Sequence, residues 1–293
     1  MKKNKKIFDI VLNLVLIVLC ICVVLPFIMI VAISLSNEKD IIEFGYSIIP
    51  KNFDLSAYQY VFQNSGSILN AYKVTFIFSA LSMVLSTFLM ALISYPLSRR
   101  DFRQRNAVSF MLFFTMLFNG GLVPTYLLIT QYLHLDDTIW VYILPSMISP
   151  WYVFMLRTSI AGIPEEVVEA ATIDGSGEYG IFFKIILPLS KPVLATVGLM
   201  IFLVKWNDWY VSMLYINDQN LVSLQYFLQR IMQNINLIKN ADAGMAGMLN
   251  ASEIPTETVR MAMAVVVAGP ALFVFPFFQK YFVKGMTVGS VKG

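Results

Sequence analysis

Charge is scarce in this chain. Asp, Glu, Lys and Arg make up 13% of its 293 residues, about half of the roughly 25% in a soluble globular domain. Apolar residues account for 58%, and the mean hydropathy is +0.70. A soluble domain, even one with a single anchor, is excluded: this is a polytopic membrane protein. The net charge is only +3, so no nucleic-acid partner is expected. The placement of the basic residues matters more than their sum.

Chemistry-bearing residues are equally sparse. The one histidine, His134, lies beside Asp136 and Asp137 in a short connection and reads as a solvated loop residue. No Ser-His-Asp or zinc constellation can be assembled within one membrane depth, so no enzyme activity is expected. Cys20 and Cys22 both lie in the first apolar run. Residues two apart on a helix do not share a face, and there is no second Cys pair, so neither a disulfide nor a metal site follows. Leu19 stands where a lipoprotein signal would want a small residue. No G-x-x-x-x-G-K-[ST] phosphate loop occurs, so this chain should not hydrolyse ATP itself. Gly175-Ser176-Gly177-Glu178-Tyr179-Gly180 does satisfy G-x-G-x-x-G. A dinucleotide site needs that pattern at a strand-to-helix turn, whereas here a helix precedes it and an apolar span follows. No internal repeat or low-complexity segment is evident.

What the chain does have is long apolar runs, at about 7–35, 70–97, 108–132, 138–160, 192–216 and 259–282. Each can cross a hydrocarbon core, which needs about 20 residues. The fold class is all-α with six transmembrane helices. The first run follows the basic head Met1-Lys2-Lys3-Asn4-Lys5-Lys6 and is too long for a signal peptide, so it reads as a retained span. Six spans starting inside place Lys2, Lys3, Lys5, Lys6, Arg99, Arg100, Arg103, Arg105, Arg157, Lys184, Lys191, Lys280, Lys284 and Lys292 on the inner side. Lys39, Lys51, Lys73, Arg230, Lys239 and Arg260 fall outside. That bias obeys the positive-inside rule with both termini cytoplasmic. Residues 36–69 form a polar external segment with short amphipathic pieces. A second external insertion, about 217–258, holds the small-residue stretch Ala241-Asp242-Ala243-Gly244-Met245-Ala246-Gly247.

Between the fourth and fifth runs lies a polar, helix-forming island, Glu165-Glu166-Val167-Val168-Glu169-Ala170-Ala171-Thr172-Ile173-Asp174-Gly175, continuing to Lys184-Ile185-Ile186-Leu187-Pro188. Gly162-Ile163 breaks the preceding helix, and Pro164 is suited to the first helical position. Glu165 and Glu166 favour the positive end of the helix dipole. Gly175 can end the helix in a left-handed conformation. Ala170 and Ala171 leave a small, flat surface that another protein could approach; alternatively they only serve helix propensity.

Two sites fall within the spans. Lys205-Trp206-Asn207-Asp208-Trp209 puts ionisable groups at membrane depth, which is costly unless they face a cavity or a partner. Asn207 and Asp208 suit sugar hydroxyls, and Trp206 and Trp209 offer faces for sugar rings. The competing reading is structural, with Asp208 pairing with Lys205 or with a partner subunit and the tryptophans in the interface belt. Phe118-Asn119-Gly120-Gly121-Leu122-Val123-Pro124 weakens the third run. It reads either as a kinked pathway element, with Asn119 exposed to solute, or as close helix packing through small residues.

The island's order, Glu-Ala-Ala, three residues, Gly, nine residues, Ile-x-Leu-Pro, resembles the coupling loop of permease subunits in ABC importers. The C-terminal Gly285-Met286-Thr287-Val288-Gly289-Ser290-Val291-Lys292-Gly293 resembles the tail of carbohydrate permeases of the maltose type, and within them the lipoprotein and complex-polysaccharide subgroup. With Trp206-Asn207-Asp208 and Asn119-Gly120-Gly121, the likeness covers nearly the whole chain. It implies a MetI-like core at 70–283 with its coupling loop at 162–188, preceded by a first span and external segment at 1–69 and followed by a tail at 284–293. It also implies a homologous second permease, two ABC ATPase subunits, an extracellular binding protein and the lipid of a bacterial cell membrane. ATP and magnesium would be bound by the ATPase and no cofactor by this chain. Docking falls on Glu169, Ala170, Ala171 and Gly175, with alternating access for an oligosaccharide. A non-sugar solute, or a secondary transporter, is the alternative.

Overall fold

The computed structural model describes residues 2–63, 65–239 and 255–288. The stretch Ala241–Gly247 and the final residues Gly289–Gly293 lie outside the described residues. Among the described residues every regular element is helical, and strand-type pairing is confined to an isolated bridge between Ser36 and Phe53. The chain divides into two compact units, Met1–Ile68 with Leu228–Pro270, and Leu69–Phe227 with Ala271–Gly293.

The first unit is built on α1, Lys2–Ser34. Its apolar portion, Phe8–Ser34, is 27 residues long, about 40 Å at 1.5 Å per residue. Its side chains from Phe8 to Phe27 are all exposed, as suits a surface solvated by lipid. The polar segment after it is tied by short side-chain bonds. Asn37 caps α2, Glu38–Phe44, by accepting from the Lys39 N–H at 3.0 Å, and its amide donates to Asp54 at 2.8 Å. Asp54 also accepts from the Ser56 N–H at 2.8 Å, starting α3, Ser56–Phe62.

Glu38 does more than open α2. Its carboxylate accepts the backbone N–H groups of Thr256, Glu257 and Thr258 at 3.0, 2.9 and 2.9 Å, and the hydroxyls of Thr256 and Thr258 at 3.2 and 2.8 Å. These are orphan donors at the start of a helix, so a residue 218 positions away supplies the N-terminal cap. Partial burial opposes ionisation, but the bonds to the Glu257, Thr258 and Thr256 groups prevail and hold the carboxyl below its ordinary 4.5. A depressed carboxylate pKa stabilises the fold above the unfolded value, and that contribution is lost as pH falls through the folded one. Glu38→Gln should therefore lower the unfolding midpoint at neutral pH by an amount equivalent to about 1–2 kcal/mol. The gap between variant and wild type should close as pH drops below 4.5. Thermal unfolding in detergent at neutral and acid pH checks both parts.

The second unit is organised around α4, Ser65–Ser98. Its side chains enter three buried clusters in turn. Phe78 stacks on Tyr142 with ring centroids 4.1 Å apart. Met90 and Leu97 pack with Val153, Leu156, Val197 and Ile201. Ala91 and Tyr95 pack with Ile160, Val168, Ala171, Ile181, Phe182 and Ile186. Helix Lys191–Trp206 lies close enough to α4 that a Cβ on Gly198 would come within 3.3 Å of the Met83 side chain. Small residues at such crossings let apolar helices pack where lipid offers no hydrophobic drive.

Three of the expected spans are broken. Residues 108–132 form α5, Arg105–Leu117, and α6, Leu122–Leu127, which continues in a π turn to Tyr132; the two halves bend by 113°. Gly121, at φ +87°, makes the bend, which is far sharper than a kink. Residues 138–160 form two 3-10 turns, Ile139–Tyr142 and Leu144–Ser146, then α7, Pro150–Ile160, at 56°. Proline at 145 and 150 accounts for the irregular start, because each removes a backbone donor. The fifth run follows a 76° bend between Glu178–Leu189 and Lys191–Trp206. By length and composition two of the described helices can cross a membrane alone, and up to five if each bent pair is one span. The sixth run lies in one continuous helix, Thr256–Val288.

Candidate functional site

The polar island folds as two short helical segments joined at Gly175. The first, α8, is Glu165–Ile173. Pro164 is its N-cap, with extended ψ of 134°, one position earlier than its sequence context suggested. Glu165 and Glu166 occupy the first turn. At the far end the Ser176 N–H reaches the Ala171 carbonyl at 2.9 Å and the Gly175 N–H reaches the Thr172 carbonyl at 3.0 Å. With Gly175 at φ +79° this is a complete Schellman turn. Next come α9, Glu178–Ile181, a π turn Phe182–Ile186, and α10, Leu187–Leu189.

Burial divides α8 into two faces. Val168 and Ala171 are buried in the cluster around Tyr95. Glu166, Glu169, Ala170 and Ile173 are exposed, and they follow the i, i+3, i+4, i+7 spacing of one helical face. Ile173 is 86% exposed, and Tyr179, four residues past Gly175, is 81% exposed. Of the residues expected to dock a partner, Glu169, Ala170 and Gly175 are thus on the surface, and Ala171 supports the helix from beneath. Ile173 and Tyr179 were missed by reading for the Glu-Ala-Ala pattern; the helical period starting at Glu166 would have found Ile173.

The fifth-run group separates in the same way. Lys205 is buried, donating to the Tyr142 carbonyl and to Ser146 Oγ at 2.6 Å, with Asp208 Oδ2 at 4.0 Å. Asp208 also accepts the Val211 N–H at 3.0 Å, opening a short helix, Tyr210–Tyr215. Trp206 is buried against Phe202 and Tyr72. All three make their contacts within the protein. Asn207 and Trp209 are exposed at the helix break. The Asn207 amide donates to the Leu203 carbonyl at 2.8 Å, and its Oδ1 accepts from Gln225 at 3.0 Å. Asn119 is exposed too, and its Oδ1 accepts the Gly121 N–H at 2.8 Å, a local turn that holds the 113° bend. His134 is exposed on its loop, with no metal-binding group of His, Cys, Asp or Glu among the described residues.

The architecture is that of a polytopic helical membrane protein with broken spans and a two-segment polar loop. The chain belongs to the binding-protein-dependent transport system inner membrane components, whose family model matches residues 63–288. It is 38% identical over 294 residues to the polygalacturonan/rhamnogalacturonan transport system permease protein YtcP of Bacillus subtilis, covering 99% of this chain and 100% of that protein. Protein LplC of Bacillus subtilis is 36% identical, covering 92% of this chain and 90% of that one. Among solved structures, a chain of a bacterial ABC transporter involved in import of the acidic polysaccharide alginate superposes with TM-score 0.79 at 28% identity, covering 95% of this chain and 98% of that one. The family is one of integral inner-membrane transport components, and such a subunit has a non-enzymatic role.

Proposed function

We propose that this chain is the translocation subunit of an ATP-driven carbohydrate importer, and that the exposed face of α8 is where a separate ATPase docks. The observation that carries the docking is the surface made by Glu169, Ala170 and Ile173, closed by the turn at Gly175 and flanked by exposed Tyr179. Neighbouring exposed apolar side chains outside the spans give a surface that a partner protein can cover. The carbohydrate assignment is supported by the polysaccharides named for YtcP and for the alginate transporter.

In this reading two ATPase subunits bind ATP and magnesium, one on this chain and one on a homologous second permease. An extracellular binding protein delivers the sugar. Both termini and α8 lie on the cytoplasmic side, as the distribution of Lys and Arg favours. ATPase closure moves α8, and the spans alternate between outward and inward access. Asn119, Asn207 and Trp209, exposed at the two breaks, are the pathway residues this geometry supports. Affinity purification of the tagged chain from its native membrane in mild detergent should recover an ABC ATPase and a second permease. ATP hydrolysis by that complex should rise when binding protein loaded with a galacturonan oligosaccharide is added. Recovery of the chain alone would sink the importer reading. A full complex unresponsive to any loaded carbohydrate would sink the sugar assignment.

A further inference from the structure

The loop and α4 meet through two kinds of contact. One is apolar: Val168, Ala171, Ile181, Phe182 and Ile186 pack on Ala91 and Tyr95. The other is a polar chain at the end of α4. Tyr95 Oη donates to Glu178 Oε2 at 2.6 Å. The other oxygen of Glu178 lies 3.7 Å from Arg99 Nη2. Arg99 in turn grips Asp101 with Nε at 3.0 Å and Nη2 at 2.8 Å. Those bonds and charges raise the Arg99 pKa and lower that of Asp101, so both stay ionised.

Apolar contact is non-directional and tolerates sliding; a short hydrogen bond to a carboxylate does not. A cavity of about 490 Å³ lies beside the polar chain, between the end of α4 and Tyr179 and Phe182. The Tyr95 and Phe182 rings, with centroids 5.5 Å apart, both line it, so apolar packing on that flank is incomplete. The Tyr95–Glu178 bond is the directional tie there, and it joins the first residue of α9 to a helix that reaches all three buried clusters.

We infer that Tyr95 and Glu178 are positioning residues that fix the register of the loop on α4, so that displacement of α8 becomes displacement of α4 rather than slippage in the cavity. The inference rests on the reading of α8 as the ATPase-docking helix. Tyr95→Phe keeps the buried ring and removes the donor. Glu178→Gln keeps an acceptor, whereas Glu178→Ala removes it.

In reconstituted transporter, Tyr95→Phe and Glu178→Ala should each lower sugar transported per ATP hydrolysed by about fivefold or more, the lower range of coupling between sites. Co-purifying ATPase should be undiminished. The double variant should be no worse than either single one, because both remove the same bond. Glu178→Gln should restore most of the stoichiometry. Wild-type stoichiometry in Tyr95→Phe, or simple additivity in the double variant, overturns the inference. If the wild-type chain itself brings down no ATPase, the docking reading fails, and this inference with it.

Discussion

Gly175→Val should reduce uptake to background while the chain remains inserted in the membrane. The reason is backbone geometry. Gly175 sits at φ +79°, and a Cβ built there meets no atom within 4 Å. Steric crowding therefore contributes nothing, and the cost is that of a left-handed residue, roughly 1–2 kcal/mol and more for a β-branched one. That is enough to open a turn held by two hydrogen bonds, from Gly175 to Thr172 and from Ser176 to Ala171. With the turn lost, the angle between α8 and α9 is unset. Two companion substitutions separate backbone from surface. Asparagine tolerates the left-handed region, so Gly175→Asn should keep most uptake. Gly175→Asp tolerates it equally but adds a charge beside the docking face, so it should lose uptake and co-purifying ATPase together. Uptake of labelled oligosaccharide, normalised to the amount of chain in the membrane, reads all three. Normal uptake in Gly175→Val would remove the turn from the mechanism.

The loop was legible because its cues are local. Two glutamates at a helix start, a glycine four residues after Ala171 and a proline ahead of them determine a short capped helix wherever it lies. The apolar runs were legible for the same reason. What the sequence hid was where the runs break. Gly120-Gly121 advertised a weak helix, but a 113° bend depends on Gly121 reaching positive φ and on the Asn119 side chain closing the turn behind it. The inward or outward aim of Lys205, Trp206 and Asp208 was equally hidden. Polarity at membrane depth predicts an unusual environment, yet it does not say whether the partner is a solute or a carbonyl 63 residues away. The Tyr95–Glu178 contact went unnoticed because it spans 83 residues and nothing periodic connects its two ends.

Lys205→Met should destabilise the protein more than any other single change considered so far. The buried ammonium of Lys205 serves the Tyr142 carbonyl, Ser146 Oγ and the Asp208 carboxylate together. It thereby pins the irregular start of the fourth run, where 3-10 turns replace regular helix, to the helix Lys191–Trp206. Methionine preserves much of the stem volume and removes all three interactions. Taking one partner from a buried charged pair costs about 3–5 kcal/mol, because the remaining charge is left uncompensated. At roughly 2–4 °C per kcal/mol for a chain of this size, the unfolding midpoint in detergent should fall by about 6–20 °C. Adding Asp208→Asn should recover part of the loss, since the stranded carboxylate becomes a neutral amide. The Tyr142 carbonyl would still lack its donor, so recovery should be incomplete. A pathway role predicts a different pattern: transport lost, the unfolding midpoint unchanged, and no benefit from Asp208→Asn. The two patterns are mutually exclusive, and scanning both variants for unfolding and uptake decides whether Lys205 holds the break together or meets the solute that passes it.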